Sequence, residues 1–168
     1  MSQHRQPLKQ SIVLMGVSGC GKSTVGKLLS ARTGADFFDG DDFHPEQNVR
    51  KMASGTPLDD EDRRGWLETL RDLLNEHDQP IIIACSALKQ NYRDILSSGQ
   101  ITPNFVYLQG SKELLQQRAH ERSGHEDHFM PVSLLDSQLE TLEQPDANTL
   151  TISIEQSPQQ ITDIIIAS

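Results

Sequence analysis

Ile12-Val13-Leu14-Met15-Gly16-Val17-Ser18-Gly19-Cys20-Gly21-Lys22-Ser23-Thr24 decides the fold: an apolar run opens into a glycine-rich turn that closes on a Lys-Ser pair. The turn fits G-x-x-x-x-G-K-[ST], a pattern that carries meaning only between a strand and a helix. Ile12–Met15 supplies the strand, and Thr24-Val25-Gly26-Lys27-Leu28-Leu29 continues as a helix. Glycines at 16, 19 and 21 let the backbone turn its N–H groups inward, and the helix beginning near Lys22 adds the positive end of its dipole. Gly16, Val17, Ser18, Gly19, Cys20, Gly21, Lys22, Ser23 and Thr24 are therefore expected to cradle the phosphates of ATP, with Lys22 spanning the β- and γ-phosphates and Ser23 ligating Mg²⁺.

Outward from this loop, short apolar runs alternate with amphipathic stretches, the pattern of a parallel α/β sheet. Strands are expected at Ser11–Met15, Asp36–Asp39, Ile81–Cys85, Asn104–Gln109 and Leu150–Glu155. Helices are expected at Lys22–Thr33, Glu61–Glu76, Ala87–Leu96, Lys112–Glu121, Pro131–Leu142 and Pro158–Ala167. The polar segment Gly40–Asp60, with Pro45, Gly55 and Pro57, lacks strong periodicity and is expected to be a long functional loop.

The 168 residues fit one domain, with residues 1–10 a flexible tail that has no secretory pattern. No apolar run approaches the roughly 20 residues of a membrane span. A formal charge of −9 disfavours nucleic acid and anionic lipid, so no nucleic-acid or membrane partner is expected. Cys20 and Cys85 match no metal-ligand spacing and suit a reducing, cytoplasmic setting. At the C-terminal edges of neighbouring strands they are also a candidate oxidation-sensitive pair, against the simpler reading of two reduced small residues.

Motor ATPases and GTPases hold the Mg²⁺ shell with a carboxylate at the end of another apolar strand, but here that strand ends Ala84-Cys85-Ser86. No Asn-Lys-x-Asp guanine-reading sequence is present either. Acids cluster instead in Asp39-Gly40-Asp41-Asp42, after the second strand, where loops at the C-terminal sheet edge lie beside the nucleotide. A kinase needs one acid for the metal and another for the proton of the attacking hydroxyl, and Asp39 and Asp41 fit those two roles. A solvated Asp-Gly turn is the alternative for this segment taken alone. Lys89 and Arg93, one helical turn apart after the third strand, either share a face toward the phosphates or are surface cations. Trp66, on an amphipathic helix, is expected in the core rather than stacked on a ligand.

Most of the chain resembles the gluconate kinase family, small P-loop kinases related to shikimate and nucleoside monophosphate kinases. The resemblance runs through Gly16–Ser23, Asp39-Gly40-Asp41-Asp42-Phe43-His44-Pro45, Asn48, Lys51-Met52, Asp60, Asp62-Arg63 and Trp66-Leu67. It continues through Cys85-Ser86-Ala87-Leu88-Lys89, Tyr92-Arg93, His128-Phe129-Met130-Pro131 and Ser137-Gln138. It implies a three-layer α/β/α domain with a five-stranded parallel sheet of order 2-3-1-4-5, and Mg²⁺-dependent transfer of a phosphoryl group from ATP to the 6-hydroxyl of D-gluconate. Another sugar acid or a shikimate-like hydroxy acid is the alternative substrate, and an ATP-sensing module the alternative outside catalysis.

The resemblance also implies a homodimer, a substrate loop over about 39–63 and a lid over about 118–131. Asp39 and Ser23 would hold the metal, and Asp41 would orient the hydroxyl. Arg63 and Lys51 would clamp the substrate carboxylate, with His44, Lys89, Arg93 and His128 also on substrate. Arg93, Arg118 and Arg122 would join Lys22 in stabilising the transferred phosphoryl group. Purine contacts would come from the surroundings of Arg118 and the turn Gln156-Ser157-Pro158. Gly124-His125-Glu126-Asp127-His128-Phe129-Met130-Pro131 departs from the family as if three residues were inserted, with Glu126 and Asp127 expected to face solvent.

Overall fold

Every residue of β1 (Ile12–Met15) is buried, and alternation sends Ile12 and Leu14 into one apolar cluster and Val13 and Met15 into another. A strand apolar on both faces needs a cover on each side. The computed structural model describes residues 6–123 and 132–168, without the side chains of 119, 122, 123 and 132–134. Leu29 of α1 (Lys22–Thr33), Leu115 of α5 (Lys112–Ser123), Leu135 of α6 (Val132–Thr141), and Ile161 and Ile165 of α7 (Pro158–Ala167) cover the first face. Trp66, Leu67, Leu70 and Leu74 of α3 (Asp60–Glu76), with Tyr92 and Leu96 of α4 (Gln90–Leu96), cover the second. The 3–4 spacing of the α3 residues is one apolar helix stripe, and each fully buried leucine contributes roughly 1.5–3 kcal/mol.

β1 lies at the centre of a wholly parallel sheet, pairing Ile12 with Ile82 of β3 (Ile82–Ala84) and with Asn104 of β4 (Asn104–Gln109). β2 (Phe37–Asp39) and β5 (Leu150–Ser153) form the edges, so the order is β2-β3-β1-β4-β5, as expected. α1 approaches β2 closely because Gly26 has no side chain: a Cβ there would lie 2.2 Å from the Phe37 ring.

Three expectations change. The segment Gly40–Asp60 is not an irregular loop: it folds into a 3₁₀ turn (Gly40–Phe43) and α2 (Glu46–Ala53). The periodicity hid α2 because its one buried residue is the polar Asn48, whereas Val49 and Met52 are 50% and 44% exposed. α4 starts at Gln90 rather than Ala87, because Ala87 sits at φ +45° and Lys89 is extended. The tail is tied down from Gln6, whose N–H donates to Arg32 O, and Leu8 packs on the core. No helix among the described residues is long and apolar enough to cross a membrane.

Candidate active site

The glycine-rich loop leaves β1 at Gly16, φ +146°, where a Cβ would meet Leu108 O at 2.8 Å, so only glycine fits. Gly19 and Gly21 also have positive φ, and α1 then begins at Lys22. Lys22 Nζ donates to Gly16 O (2.9 Å) and Val17 O (3.2 Å), arching over the loop it serves. Val17 and Cys20 point into the core, so their contribution to a phosphate is backbone only. Gln138 of α6 grips the loop from 120 residues away: its Oε1 accepts from Ser18 N (2.7 Å) and its Nε2 donates to Ser18 Oγ (3.0 Å).

Asp39 ends β2 beside this loop. Its Oδ1 accepts from Asp41 N (3.0 Å), capping the 3₁₀ turn, and its Oδ2 accepts from Ser23 Oγ (3.2 Å). Ser18, Lys22, Ser23, Thr24, Asp39 and Asp41 line one cavity of about 160 Å³ with Ser86. Asp41 keeps 84% of its side-chain surface open at the mouth. Open as the side chain is, the protein around the mouth displaces part of its hydration, and this and then Asp39 raise its pKa above the usual aspartate value, against the pull of Lys22 and His44. One hydroxyl and one carboxylate, with no larger cluster of metal ligands among the described residues, suit Mg²⁺, which keeps waters and substrate phosphates as its other ligands.

Beyond Asp41 the chain leads into a buried ring pair. The His44 ring stacks on Trp66 at 4.2 Å, and Trp66, in the core as expected, donates from Nε1 to Gly40 O (2.7 Å). Asn48 Nδ2 donates to Asp62 O (2.9 Å), so its second hydrogen faces His44 Nδ1 (3.3 Å). Nδ1 is then the acceptor, and Nε2 carries the ring proton toward Asp41 Oδ1, 3.9 Å away. Burial and the Arg63 charge lower the His44 pKa, with Asp41 opposing, so the ring is neutral at pH 7.

The cations separate into two groups. Lys51 pairs with Asp62 (2.6 Å) and Lys89 with Asp60 (3.0 Å), and these partners raise both lysine pKa values. Arg63 has no carboxylate partner among the described residues and donates to the Tyr92 hydroxyl (3.2 Å). Arg93 does not face the phosphate loop. It is 4% exposed, and its guanidinium donates to Ala87 O (2.7 Å), Glu143 O (2.9 Å) and Gln90 Oε1 (3.3 Å), which braces the strained Ala87 turn. Its sequence position one turn from Lys89 gave no sign of these backbone acceptors. Arg118 Nη2 donates to Ile154 O (2.7 Å), just past β5 and beside the turn at 156–158. Arg122 lies on α5 one turn further, while His128 and residues 124–131 of the lid expected over about 118–131 fall outside the described residues.

Both cysteines are buried thiols, and burial pushes the Cys85 pKa up to about 12. A thiol so reluctant to ionise is a poor oxidation sensor, which favours the simple packing role. Sequence reasoning assigned no role to Asn48, Tyr92 or Gln138. The only signal was that they recur in the resemblance, because polar side chains on helices show no periodicity of their own.

A phosphate loop at the centre of a 2-3-1-4-5 sheet, with two acids opposite it and a polar cluster on α2 and α3 beyond them, defines a small-molecule P-loop kinase. The sequence pattern of the shikimate kinase family matches residues 18–167, and the chain belongs to that family, on its gluconokinase branch. It is 47% identical to the thermosensitive gluconokinase of Escherichia coli K12 over 142 residues, covering 83% of this chain and 74% of that one. It is 38% identical to an Arabidopsis thaliana gluconokinase, covering 99% and 95% of the two chains. A gluconokinase crystal structure from Sinorhizobium meliloti 1021 superposes with a TM-score of 0.85 at 43% identity, over 98% of this chain and 92% of that one.

Proposed function

We propose that the protein is a gluconokinase, transferring the terminal phosphoryl group of ATP to the 6-hydroxyl of D-gluconate. The observation that carries this reading is the single cavity that joins Lys22 and Ser23 of the phosphate loop to Asp39 and Asp41. Inward backbone N–H groups and Lys22 bind the phosphates of ATP. Ser23 and Asp39 would hold Mg²⁺, which would supply positive charge to offset that of the phosphates. Asp41 takes the hydroxyl proton, and its raised pKa makes it a stronger base than an ordinary aspartate. His44 offers its Nε2–H to a substrate hydroxyl. Arg63, the clamp candidate left without a carboxylate partner among the described residues, binds the carboxylate of gluconate bidentately. Lys51 and Lys89 brace α3 through Asp62 and Asp60.

Arg118 serves the purine end, Arg122 and His128 act from a lid over 118–131, and the working unit is a cytoplasmic homodimer. ADP release measured across gluconate, related sugar acids and shikimate tests the reading. Turnover is expected with gluconate above the others. ATP binding without substrate-stimulated turnover would overturn it in favour of a sensor.

A further inference from the structure

Tyr92 belongs to neither the phosphate loop nor the acid pair, yet it stands at the centre of a built polar cluster. The side chain is 4% exposed, and its ring packs in the second core cluster. Its hydroxyl donates to Asp60 Oδ1 at 2.5 Å and accepts from Arg63 Nη1 at 3.2 Å. A phenol has one hydrogen. Once Asp60 takes it, only lone pairs remain for Arg63, so the contact is a one-way bond that orients the guanidinium. Lys89 Nζ meets both Asp60 oxygens, at 3.0 and 3.3 Å, which compensates the carboxylate and leaves the Arg63 charge available for a ligand. Arg63 and Lys89 also lie 5.6 Å from the centre of the Tyr92 ring, within cation–π range. The cluster spans the start of α3 and the start of α4, two elements that share no phosphate-binding residue.

We infer that Tyr92, held by Asp60, is a positioning residue that aims Arg63 at the carboxylate of the substrate. The inference rests on the reading of Arg63 as the carboxylate clamp. Tyr92 touches neither substrate nor phosphate; it acts by restricting where a long, flexible cation points before substrate arrives. Its loss therefore weakens capture of an anionic substrate and leaves the nucleotide half of the site unchanged.

The test is steady-state kinetics with Tyr92→Phe, Arg63→Ala and the double variant, varying gluconate and ATP separately. Tyr92→Phe keeps the ring and its packing and loses only the hydroxyl. The expected result is a rise of about tenfold in KM for gluconate, the scale of one hydrogen bond to a charged group, with KM for ATP unchanged. Because Tyr92 acts through Arg63, the double variant is expected to be no worse than Arg63→Ala alone. Asp60→Asn, a second route should Tyr92→Phe fold poorly, is expected to raise KM for gluconate in the same direction by less. An unchanged KM for gluconate in both Tyr92→Phe and Asp60→Asn, or penalties that simply multiply in the double variant, would overturn the inference. A parent protein with no gluconate turnover would instead strike at the proposed function, so the two failures are distinguishable.

Discussion

Asp41 and Arg93 look alike in the sequence, as charged residues in segments that follow strands, and the structure gives them opposite surroundings. Asp41 stands open at the mouth of the phosphate cavity, so Asp41→Asn is expected to lower kcat by 10²–10⁴, the range for losing a general base, with little change in melting temperature. A loss within a few-fold would remove Asp41 from the proton-transfer role. Arg93 is buried on carbonyls. Arg93→Met strands Ala87 O and Glu143 O and is expected to cost about 2–3 kcal/mol in urea unfolding while KM for ATP stays unchanged. A large rise in that KM in a stably folded variant would restore Arg93 to the phosphates. The sequence shows which residue types are present, but whether a cation meets solvent, a carboxylate or a carbonyl depends on contacts 50 residues apart.

The elements were legible in proportion to how apolar they are. β1, with four buried residues, and α3, with its Trp66-Leu67-Leu70-Leu74 stripe, follow from periodicity alone. α2 did not, because it turns Asn48 inward and Val49 and Met52 outward, an inversion that serves the His44 and Asp62 contacts rather than the core. The start of α3 is held to its neighbours by charge. Lys51 and the Asp59 backbone lower the Asp62 pKa, and Tyr92 and Lys89 lower that of Asp60. A carboxylate whose folded pKa lies below its unfolded value adds stability above about pH 4, and that stability is lost as pH falls through the folded value. Melting temperature is therefore expected to fall from pH 5 to pH 3 less steeply in Asp62→Asn than in the parent. Equal slopes would show that these pairs are screened out.

At the scale of the molecule, one glycine-rich loop and five apolar runs were enough for the layer architecture, and the strand order followed from the resemblance and matches the sheet. That order places β1 and β3 side by side, which brings Asp39, carried on the next strand, within 3.2 Å of Ser23 and so joins the proposed metal pair to the acid loop. A net charge of −9 surrounds a cleft in which Arg63 makes no ion pair with a carboxylate among the described residues, so the proposed recognition of a small acid rests on local geometry rather than the global field. What periodicity and charge could not convey was the choice of substrate, because on the proposed reading it depends on which of several cations is left without an ion pair after folding. The most direct measurement of the central claim is ADP release in the substrate panel, with the phosphorylated product located by NMR. Gluconate-dependent release with phosphate on the 6-hydroxyl is predicted. Phosphate on another carbon, or faster turnover of shikimate than of gluconate, would contradict the account.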